Sequence, residues 1–270
     1  MPELPEVEIT RRGIQPHILN QTITQVISRI SKLRWPIPKK LNTYLAQQKI
    51  ISVERRAKYL LLGTDNGHLI IHLGMSGSLR IVDINSPAEK HDHFDLVFTQ
   101  TSLRLRDPRR FGAVLWTQEK PLQHQLLVKL GPEPLSDQFS AQHLYQVSRG
   151  RRITIKEFIM NSHVVVGVGN IYATEALFMA GIHPLRAAGN ISLQRYQTLT
   201  IAIQEVLEKA LECGGTTLRD FKNERGNPGY FSIELQAYGR AGLPCLSCGT
   251  SMTAIKLGQR TTTYCKRCQR

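Results

Sequence analysis

Four cysteines near the end of the chain constrain its fold more than any other feature. Cys245 and Cys248 are separated by two residues, sixteen residues follow, and Cys265 and Cys268 repeat the same spacing. Two thiolates three positions apart on a tight turn can share one face of a tetrahedron, so two such pairs complete a four-cysteine zinc site with no open coordination position. The spacing therefore predicts a zinc ribbon with one structural Zn(II) ion, whose ligands are Cys245, Cys248, Cys265 and Cys268.

The charge of the chain favours a polyanionic partner. Lysine and arginine outnumber aspartate and glutamate by 35 to 21, which gives the chain a net charge of +14. Residues 1–130 carry +8 of this charge (19 basic, 11 acidic), and residues 131–270 carry the other +6 (16 basic, 10 acidic). Residues 245–270 contain no acidic side chain and hold five cations, namely Lys256, Arg260, Lys266, Arg267 and Arg270. Because both halves share the excess, nucleic acid is the favoured partner, although zinc ribbons also serve as protein-docking modules.

The length and the apolar pattern exclude several classes of protein. A chain of 270 residues holds about two domains at roughly 150 residues each, which is too large for a mini-protein stapled by disulfides. No apolar run approaches the roughly 18 residues of a transmembrane helix, and residues 1–6 show no signal-peptide pattern. Clustered cysteines suit a metal site in a reducing compartment. We therefore expect a cytoplasmic protein that has no membrane partner.

Hydrophobic periodicity makes the first part of the chain β-rich. The pattern predicts a leading helix and two antiparallel hairpins, over residues 3–19, 59–72 and 94–106. The first hairpin turns at Asp65-Asn66-Gly67, which is a strong turn sequence. These elements predict an antiparallel sandwich or barrel behind an N-terminal helix.

A second set of signals gives the domain boundaries. The stretch Gly131-Pro132-Glu133-Pro134 interrupts regular structure, and Ser192 can cap a helix that runs to Leu211 and closes at Gly214-Gly215. Residues 216–231 form a long loop that is a candidate binding loop. We therefore predict an α+β multidomain fold, with an antiparallel β-sandwich in residues 1–130, a helical domain in residues 131–233 and a four-cysteine zinc finger in residues 234–270.

The first residues could form a reactive group. Removal of Met1 would leave Pro2 with a secondary amine, which can attack an electrophilic carbon and form an iminium ion. Glu3 and Glu6 would project near that amine from a first helical turn, where one could shuttle protons. Acidic residues in a first turn are equally explained by the helix dipole, and the residues alone do not decide between the two explanations.

Six segments share one resemblance. They are Pro2-Glu3-Leu4-Pro5-Glu6-Val7-Glu8, Arg56-Ala57-Lys58-Tyr59-Leu60, His72-Leu73-Gly74-Met75-Ser76-Gly77, Asp107-Pro108-Arg109-Arg110-Phe111-Gly112, Gly167-Val168-Gly169-Asn170-Ile171-Tyr172-Ala173 and the four-cysteine ribbon. In this order, from residue 2 to residue 268, they resemble bacterial formamidopyrimidine-DNA glycosylase. The resemblance implies an N-terminal β-sandwich with a leading helix, then a helical domain with a helix-two-turns-helix motif and the zinc finger.

The resemblance also implies a reaction. It implies a bifunctional DNA glycosylase and abasic-site lyase that excises oxidised purines, such as 8-oxoguanine and formamidopyrimidines, from damaged double-stranded DNA and cleaves the abasic strand by β,δ-elimination. Pro2 would be the nucleophile at C1′, Glu3 the acid/base and Glu6 a supporting carboxylate. No redox cofactor is required. The enzyme would act as a monomer that associates with the nucleoid when it is bound to DNA.

The remaining implied roles concern contacts with DNA. Lys58, on a β-strand, and Arg260, at the ribbon tip, would hold phosphate at the catalytic centre together with His72 and Asn170. The family's void-filling residues correspond to Met75, Arg109 and Phe111, which would occupy the space left by an extruded base and hold its partner, commonly cytosine. The resemblance implies further DNA contacts at His91 and Arg152, and a contact from the lesion-covering loop at Thr217.

Three alternatives remain open from the residues. An endonuclease VIII-like glycosylase would act on oxidised pyrimidines, but Leu4 and the long 216–230 loop favour the purine branch. A non-catalytic zinc-ribbon DNA-binding protein would keep the fold, but Pro2 and Glu3 are both present. A ribbon-based protein-docking module poorly explains the positive charge of both halves.

Overall fold

The computed structural model describes residues 2–214 and 235–270. Positions 2–129 form one compact unit, and positions 130–213 together with 235–270 form a second. The boundary drawn from the Gly-Pro stretch falls one residue from this division. The predicted boundary between residues 233 and 234 and the predicted 216–231 loop lie outside the described residues.

The first unit is a β-sandwich with a leading helix. Helix α1 (Leu4–Ile18) precedes two four-stranded antiparallel sheets, with strand orders β1-β6-β7-β5 and β2-β3-β4-β8. The elements after α1 are β1 (Gln25–Ser28), α2 (Leu41–Leu45), β2 (Ser52–Arg56), β3 (Tyr59–Thr64), β4 (Gly67–His72), β5 (Ser78–Asp83), β6 (Asp92–Val97), β7 (Thr101–Arg106) and β8 (Ala113–Thr117). Two separate sheets confirm the sandwich rather than the barrel.

Alternating apolar residues explain why the two sheets face one core. The predicted first hairpin is β3–β4, with Thr64 opposite Gly67, and the predicted second hairpin is β6–β7. Residues two apart on each of these strands enter the same buried cluster, as their period of two requires. They are Leu60 and Leu62, Leu69 and Ile71, Phe94 and Leu96, and Leu103 and Leu105. Helix α1 adds Val7, Ile14 and Ile18 to this core.

The second unit combines helices with a small hairpin. Its elements are α3 (Ala141–Ser148), α4 (Ile155–Ile159), α5 (Asn170–Met179), α6 (Leu193–Glu212), β9 (Thr253–Leu257) and β10 (Arg260–Tyr264). The predicted cap of α6 is confirmed, since the Ser192 hydroxyl accepts from the Arg195 backbone N–H at 3.3 Å. Gly214, with φ +79°, follows the helix end. None of the helices in the described ranges is long and apolar enough to cross a bilayer.

Glu175 of α5 connects the helices to the ribbon segment. This buried carboxylate accepts three backbone N–H groups, from Gln236, Ala237 and Tyr238, at 2.7–2.9 Å. Charge-assisted bonds of this kind are about twice as strong as neutral ones. The start of the ribbon is therefore fixed to α5 within the second unit.

Candidate functional site

The N-terminal residues form a buried helix start. Pro2 and Glu3 are both buried, and Glu3 is the N-cap of α1. The Glu3 backbone N–H donates to Glu6 Oε2 at 2.8 Å, as in a capping box, and Glu6 has no exposed surface. Glu6 therefore fixes the helix start, which suits a supporting carboxylate. The Glu3 side chain completes the capping box by accepting from the Glu6 backbone N–H.

A second carboxylate anchors this helix to the sheet below it. Glu8 forms ion pairs with Arg11 and Arg12 of α1 and with Arg55 of β2, at 2.9–3.1 Å. Burial alone would raise the pKa of Glu8, but the hydrogen bonds and charges of these arginines lower it to about 2. Arg11 also donates to the Val53 carbonyl oxygen at 3.2 Å. These contacts hold the end of α1 that carries Pro2 in one orientation.

Lys58 and His72 lie at one end of the β2–β3–β4 meander. The expectation that Lys58 lies on a strand is wrong, because it occupies the two-residue turn between β2 and β3, where Ala57 adopts a φ of +56°. His72 lies opposite Tyr59, the residue after Lys58, and the two rings are 4.8 Å apart. A lysine in a tight turn projects from the end of the sheet, which suits a contact with phosphate.

His72 is held neutral by its surroundings. Burial, followed by the positive charges of Lys58 and Arg34, lowers the pKa of His72 to about 4. Its Nδ1 accepts from the Gly74 backbone N–H at 2.9 Å, so the proton of the neutral ring is on Nε2. His72 can therefore donate one hydrogen bond from Nε2 near neutral pH. Arg34 carries no motif and was not predicted, although its charge acts on both His72 and Tyr59.

The shifted pKa of His72 predicts a pH dependence of stability. The unfolded imidazole titrates near its ordinary pKa of about 6.5 and the folded one near 4, so the unfolded state binds more protons between these values. This contribution to stability is complete above about pH 6.5 and is lost as the pH falls toward 4. We expect the Tm of the wild type to fall more between about pH 7 and about pH 4.5 than that of His72→Gln.

The measurement is thermal unfolding across this pH range. His68→Gln is the matched control, since His68 lies on the same strand, and its profile should follow the wild type. Parallel profiles for the wild type and His72→Gln would show that His72 is not held neutral in the folded protein.

The predicted void-filling residues lie on two adjoining loops. Met75 is half-buried on the β4–β5 loop, while Arg109 and Phe111 are exposed on the β7–β8 loop. The Arg109 guanidinium stacks over the Phe111 ring, 5.0 Å from its centre. Gly74, with φ +66°, allows the close approach of the two loops, because a Cβ there would collide with the Phe111 backbone. A large aromatic side chain that is 45% exposed beside an arginine is what a base-stack wedge requires.

The other predicted DNA contacts of these units are less enclosed. His91 is half-buried with a φ of +78°, and its backbone carbonyl accepts from the Asp107 N–H at 3.0 Å. Arg152 is exposed on the segment before α4. Thr217 lies outside the described residues.

In the second unit Asn170 and Arg260 line one pocket. Asn170 is the first residue of α5, after the N-cap Gly169, and Arg260 lies beside the Gly258-Gln259 turn of the β9–β10 hairpin. The pocket has a volume of about 150 Å³. It is lined by Lys156, Glu157, Met160, Asn161, Asn170, Leu257, Gly258 and Arg260. The helix start, the amide and the guanidinium together suit an anionic oxygen.

Sequence reasoning missed the buried Lys156 in this pocket. Its Nζ donates to Asn170 Oδ1 and to Thr262 Oγ1, both at 2.7 Å, and the side chain is 1% exposed. Asn170 Nδ2 in turn donates to the Thr261 carbonyl oxygen at 3.2 Å. Lys156 thus orients the Asn170 amide and adds a positive charge. The chain has many basic residues, so no sequence pattern distinguishes Lys156 from the others.

The four predicted zinc ligands converge. Their sulfur atoms all lie within 4.8 Å of one another, with Cys245 to Cys268 at 3.9 Å and Cys248 to Cys265 at 3.5 Å. Tetrahedral Zn–S bonds of about 2.3 Å place sulfur atoms about 3.8 Å apart, so the cluster fits one zinc ion. Bound zinc would crosslink the two cysteine pairs. In the described part of the chain this is the one group of at least three His, Cys, Asp or Glu that could hold a metal.

Comparisons with known proteins agree with this arrangement. Residues 1–114 match the model of the formamidopyrimidine-DNA glycosylase N-terminal domain, residues 130–222 the H2TH domain of the same enzyme, and residues 242–270 a zinc finger found in FPG and IleRS. The chain is 58% identical to formamidopyrimidine-DNA glycosylase of Pseudomonas putida strain GB-1 and 56% identical to that of Photobacterium damsela subsp. piscicida. Each alignment covers 100% of both chains.

Solved structures give the same result. The MutM (Fpg) protein of Thermus thermophilus is 36% identical with a TM-score of 0.89, over 99% of this chain and 98% of that one. A Lactococcus lactis Fpg mutant in complex with Fapy-dG-containing DNA is 33% identical with a TM-score of 0.92, over 100% of both chains. The wild-type L. lactis protein in complex with DNA that contains an oxidised pyrimidine is similar at a TM-score of 0.91, with 33% identity over 100% of both chains.

Proposed function

The chain belongs to the formamidopyrimidine-DNA glycosylase family of bifunctional glycosylase/lyase enzymes, and we propose that it removes oxidised purines from duplex DNA by way of an N-terminal proline amine. The observation that carries this proposal is that Pro2 and Glu3, consecutive in the chain, are both buried at the start of an anchored helix. A buried carboxylate next to a secondary amine provides a nucleophile and a proton carrier in one place.

The chemistry follows from these two residues. With Met1 removed, the Pro2 nitrogen attacks C1′ of the damaged nucleotide, the C1′–base bond breaks, and Glu3 assists by proton transfer as the sugar ring opens. The product is an iminium ion, which makes the C2′ proton acidic. Loss of that proton expels one phosphate by β-elimination, and δ-elimination expels the second. Glu6 holds the helix start during these steps through its bond to the Glu3 N–H.

The DNA contacts are assigned to side chains in both units. Lys58 and the Nε2–H of His72 bind phosphate from the first unit, with further contacts from His91. Asn170, Arg260 and Arg152 do so from the second, and Lys156 orients Asn170. The void-filling residues replace the extruded base. Zn(II) holds the hairpin that carries Arg260 and takes no part in bond cleavage.

Other parts of the proposal concern organisation. The chain divides into three domains, with boundaries at residues 130/131 and 233/234. The enzyme is a monomer in the cytoplasm, and Thr217 contacts the lesion. Oxidised pyrimidines are a second candidate substrate, because the L. lactis relative was solved with DNA that contains one.

Borohydride trapping tests the chemistry and the lesion class together. The methionine-processed protein is incubated with an 8-oxoguanine:cytosine duplex or a thymine-glycol duplex, and the adduct is mapped by mass spectrometry. An adduct at Pro2 on the first duplex supports the proposal. Trapping mainly on the second would assign the protein to oxidised pyrimidines, and tight DNA binding without an adduct on either would support the non-catalytic alternative.

The pocket around Arg260 gives a separate prediction. Arg260→Ala should weaken binding to duplex DNA by about 10-fold at moderate salt and reduce the salt slope of log K by about 0.9, the effect of losing one phosphate contact. Fluorescence anisotropy at several salt concentrations measures both quantities. Lys256→Ala is the matched control, because Lys256 is exposed on the same hairpin and does not line the pocket. Equal salt slopes for the two variants would contradict a phosphate contact by Arg260.

A further inference from the structure

Asp107 is a buried carboxylate between the two loops that carry the void-filling residues. It has no exposed surface. Its Oδ1 accepts from the Ser76 hydroxyl at 3.0 Å, and its Oδ2 accepts from the Gly112 backbone N–H at 2.7 Å. One carboxylate therefore bonds both the β4–β5 loop and the β7–β8 loop.

Each bond ends next to a void-filling residue. Ser76 follows Met75, and Gly112 follows Phe111. The Ser76 hydroxyl also accepts from the Arg109 backbone N–H at 3.3 Å. Met75 and Phe111 each adjoin a residue that bonds Asp107, and Arg109 is connected to Asp107 by two successive hydrogen bonds through Ser76.

The backbone of Asp107 is itself fixed. Its N–H donates to the His91 carbonyl at 3.0 Å, and its carbonyl accepts from the Arg110 N–H at 3.2 Å and contacts His93 Nε2 at 3.1 Å. His93 is buried, so this contact is shielded from water. Asp107 is therefore a rigid point to which the two loops are attached.

The packing leaves little room for another arrangement. A Cβ at Gly112 would lie 2.7 Å from the His72 carbonyl oxygen and 2.9 Å from Asp107 Oδ2. Buried charges persist in folded proteins when their hydrogen-bonding capacity is used, and removing one partner of such a group is costly. The bonds of Asp107 therefore stabilise the observed position of the two loops.

We propose that Asp107, through Ser76 and Gly112, is a positioning residue that holds Met75, Arg109 and Phe111 in register and so sets the enzyme's selectivity for the base opposite the lesion. This inference rests on the void-filling role in the proposed function. An arginine that reads the pairing edge of an orphaned base needs a fixed backbone, because a misplacement of about 1 Å can cost about 100-fold in rate.

Two variants of graded severity test this inference. Ser76→Ala removes the hydroxyl that joins Asp107 to Arg109 and leaves the bond between Asp107 and Gly112. Asp107→Ala removes both acceptor oxygens, so neither loop keeps its bond. Ser78→Ala is the matched control, since Ser78 is a buried serine of the adjoining strand outside these contacts.

The readout is the ratio of kcat/KM for 8-oxoguanine opposite cytosine to that opposite adenine, with thermal unfolding as a check of folding. We expect the ratio to fall about threefold in Ser76→Ala and about 10-fold in Asp107→Ala, with the ratio of Ser78→Ala unchanged. Equal losses on both duplexes, with an unchanged ratio, would show a merely structural role and overturn the inference.

Arg109→Ala separates this inference from the proposed function. A changed ratio in Arg109→Ala, with unchanged ratios in Ser76→Ala and Asp107→Ala, refutes positioning by Asp107 and leaves the void-filling assignment intact. An unchanged ratio in Arg109→Ala refutes the opposite-base role of Arg109, and the inference about Asp107 fails with it. Trapping at Pro2 is independent of both results.

Discussion

Replacement of Pro2 by glycine is expected to lower excision of 8-oxoguanine by at least about 100-fold, the lower range of what a catalytic proton-transfer or nucleophilic group contributes. Glycine keeps a terminal amine but loses the secondary amine and the ring that fixes its direction next to Glu3. The amine of the variant can still react with the aldehyde of a preformed abasic site, which is a better electrophile than C1′ of an intact nucleotide. We therefore expect strand cleavage at an abasic site to fall less than base excision does.

Single-turnover kinetics on the two substrates measure this difference. Pro16→Ala is the matched control, since Pro16 lies exposed in the same helix and far along the chain from the amine. Mass spectrometry first verifies that Met1 is absent from each protein. Excision at the wild-type rate by a processed Pro2→Gly enzyme would rule out the proline nucleophile. An equal loss in Pro16→Ala would show that the effect arises from the fold of α1.

Spacing and turn chemistry were sufficient to predict most of the fold. The Asp65-Asn66-Gly67 turn, alternation along the strands and the Ser192 cap each specify local geometry, and the structure places β3–β4, β6–β7 and α6 accordingly. The cysteine spacing predicted the cluster because a metal site restricts the separation of its ligands. These features have short-range causes, so they can be read from a sequence.

Lys58 shows where a position implied by the resemblance is wrong. The β2–β3 turn holds alanine, which seldom adopts a positive φ, so residues 57 and 58 do not mark a turn in the sequence. Pairing of Arg56 with Tyr59 across the hairpin enforces the turn. The tertiary structure therefore overrides the propensity of the turn residues.

Contacts over long distances in sequence explain the other omissions. Lys156 meets Thr262 across 106 positions, and Asp107 meets Ser76 across 31. In both pairs, the sequence around one residue gives no indication of its partner. The capping box at residues 3 and 6 also needed coordinates, since it pairs the Glu3 N–H with the Glu6 carboxylate and the Glu3 side chain with the Glu6 backbone.

Replacement of Cys248 by serine is expected to remove zinc and reduce affinity for duplex DNA by at least about 10-fold, because the metal stabilises the ribbon that presents Arg260. Structural zinc contributes an apparent binding free energy of about 10–16 kcal/mol in isolated fingers, while a lone two-stranded hairpin is marginally stable. The β9–β10 pair would therefore lose its register without the ion. The Pro2 amine belongs to the other compact unit, so its reactivity toward an amine-selective reagent should not change.

The matched control for this variant is Cys213→Ser, which removes the fifth cysteine and leaves the four ligands in place. Metal content is measured by atomic emission and DNA affinity by anisotropy on the same preparations. Cys213→Ser should keep one zinc per chain and wild-type affinity. A zinc-free Cys248→Ser protein that binds DNA as tightly as the wild type would show that the ribbon does not support the phosphate contact. In that case the fixed position of Arg260 would depend on the pocket formed with Lys156 and Asn170 alone.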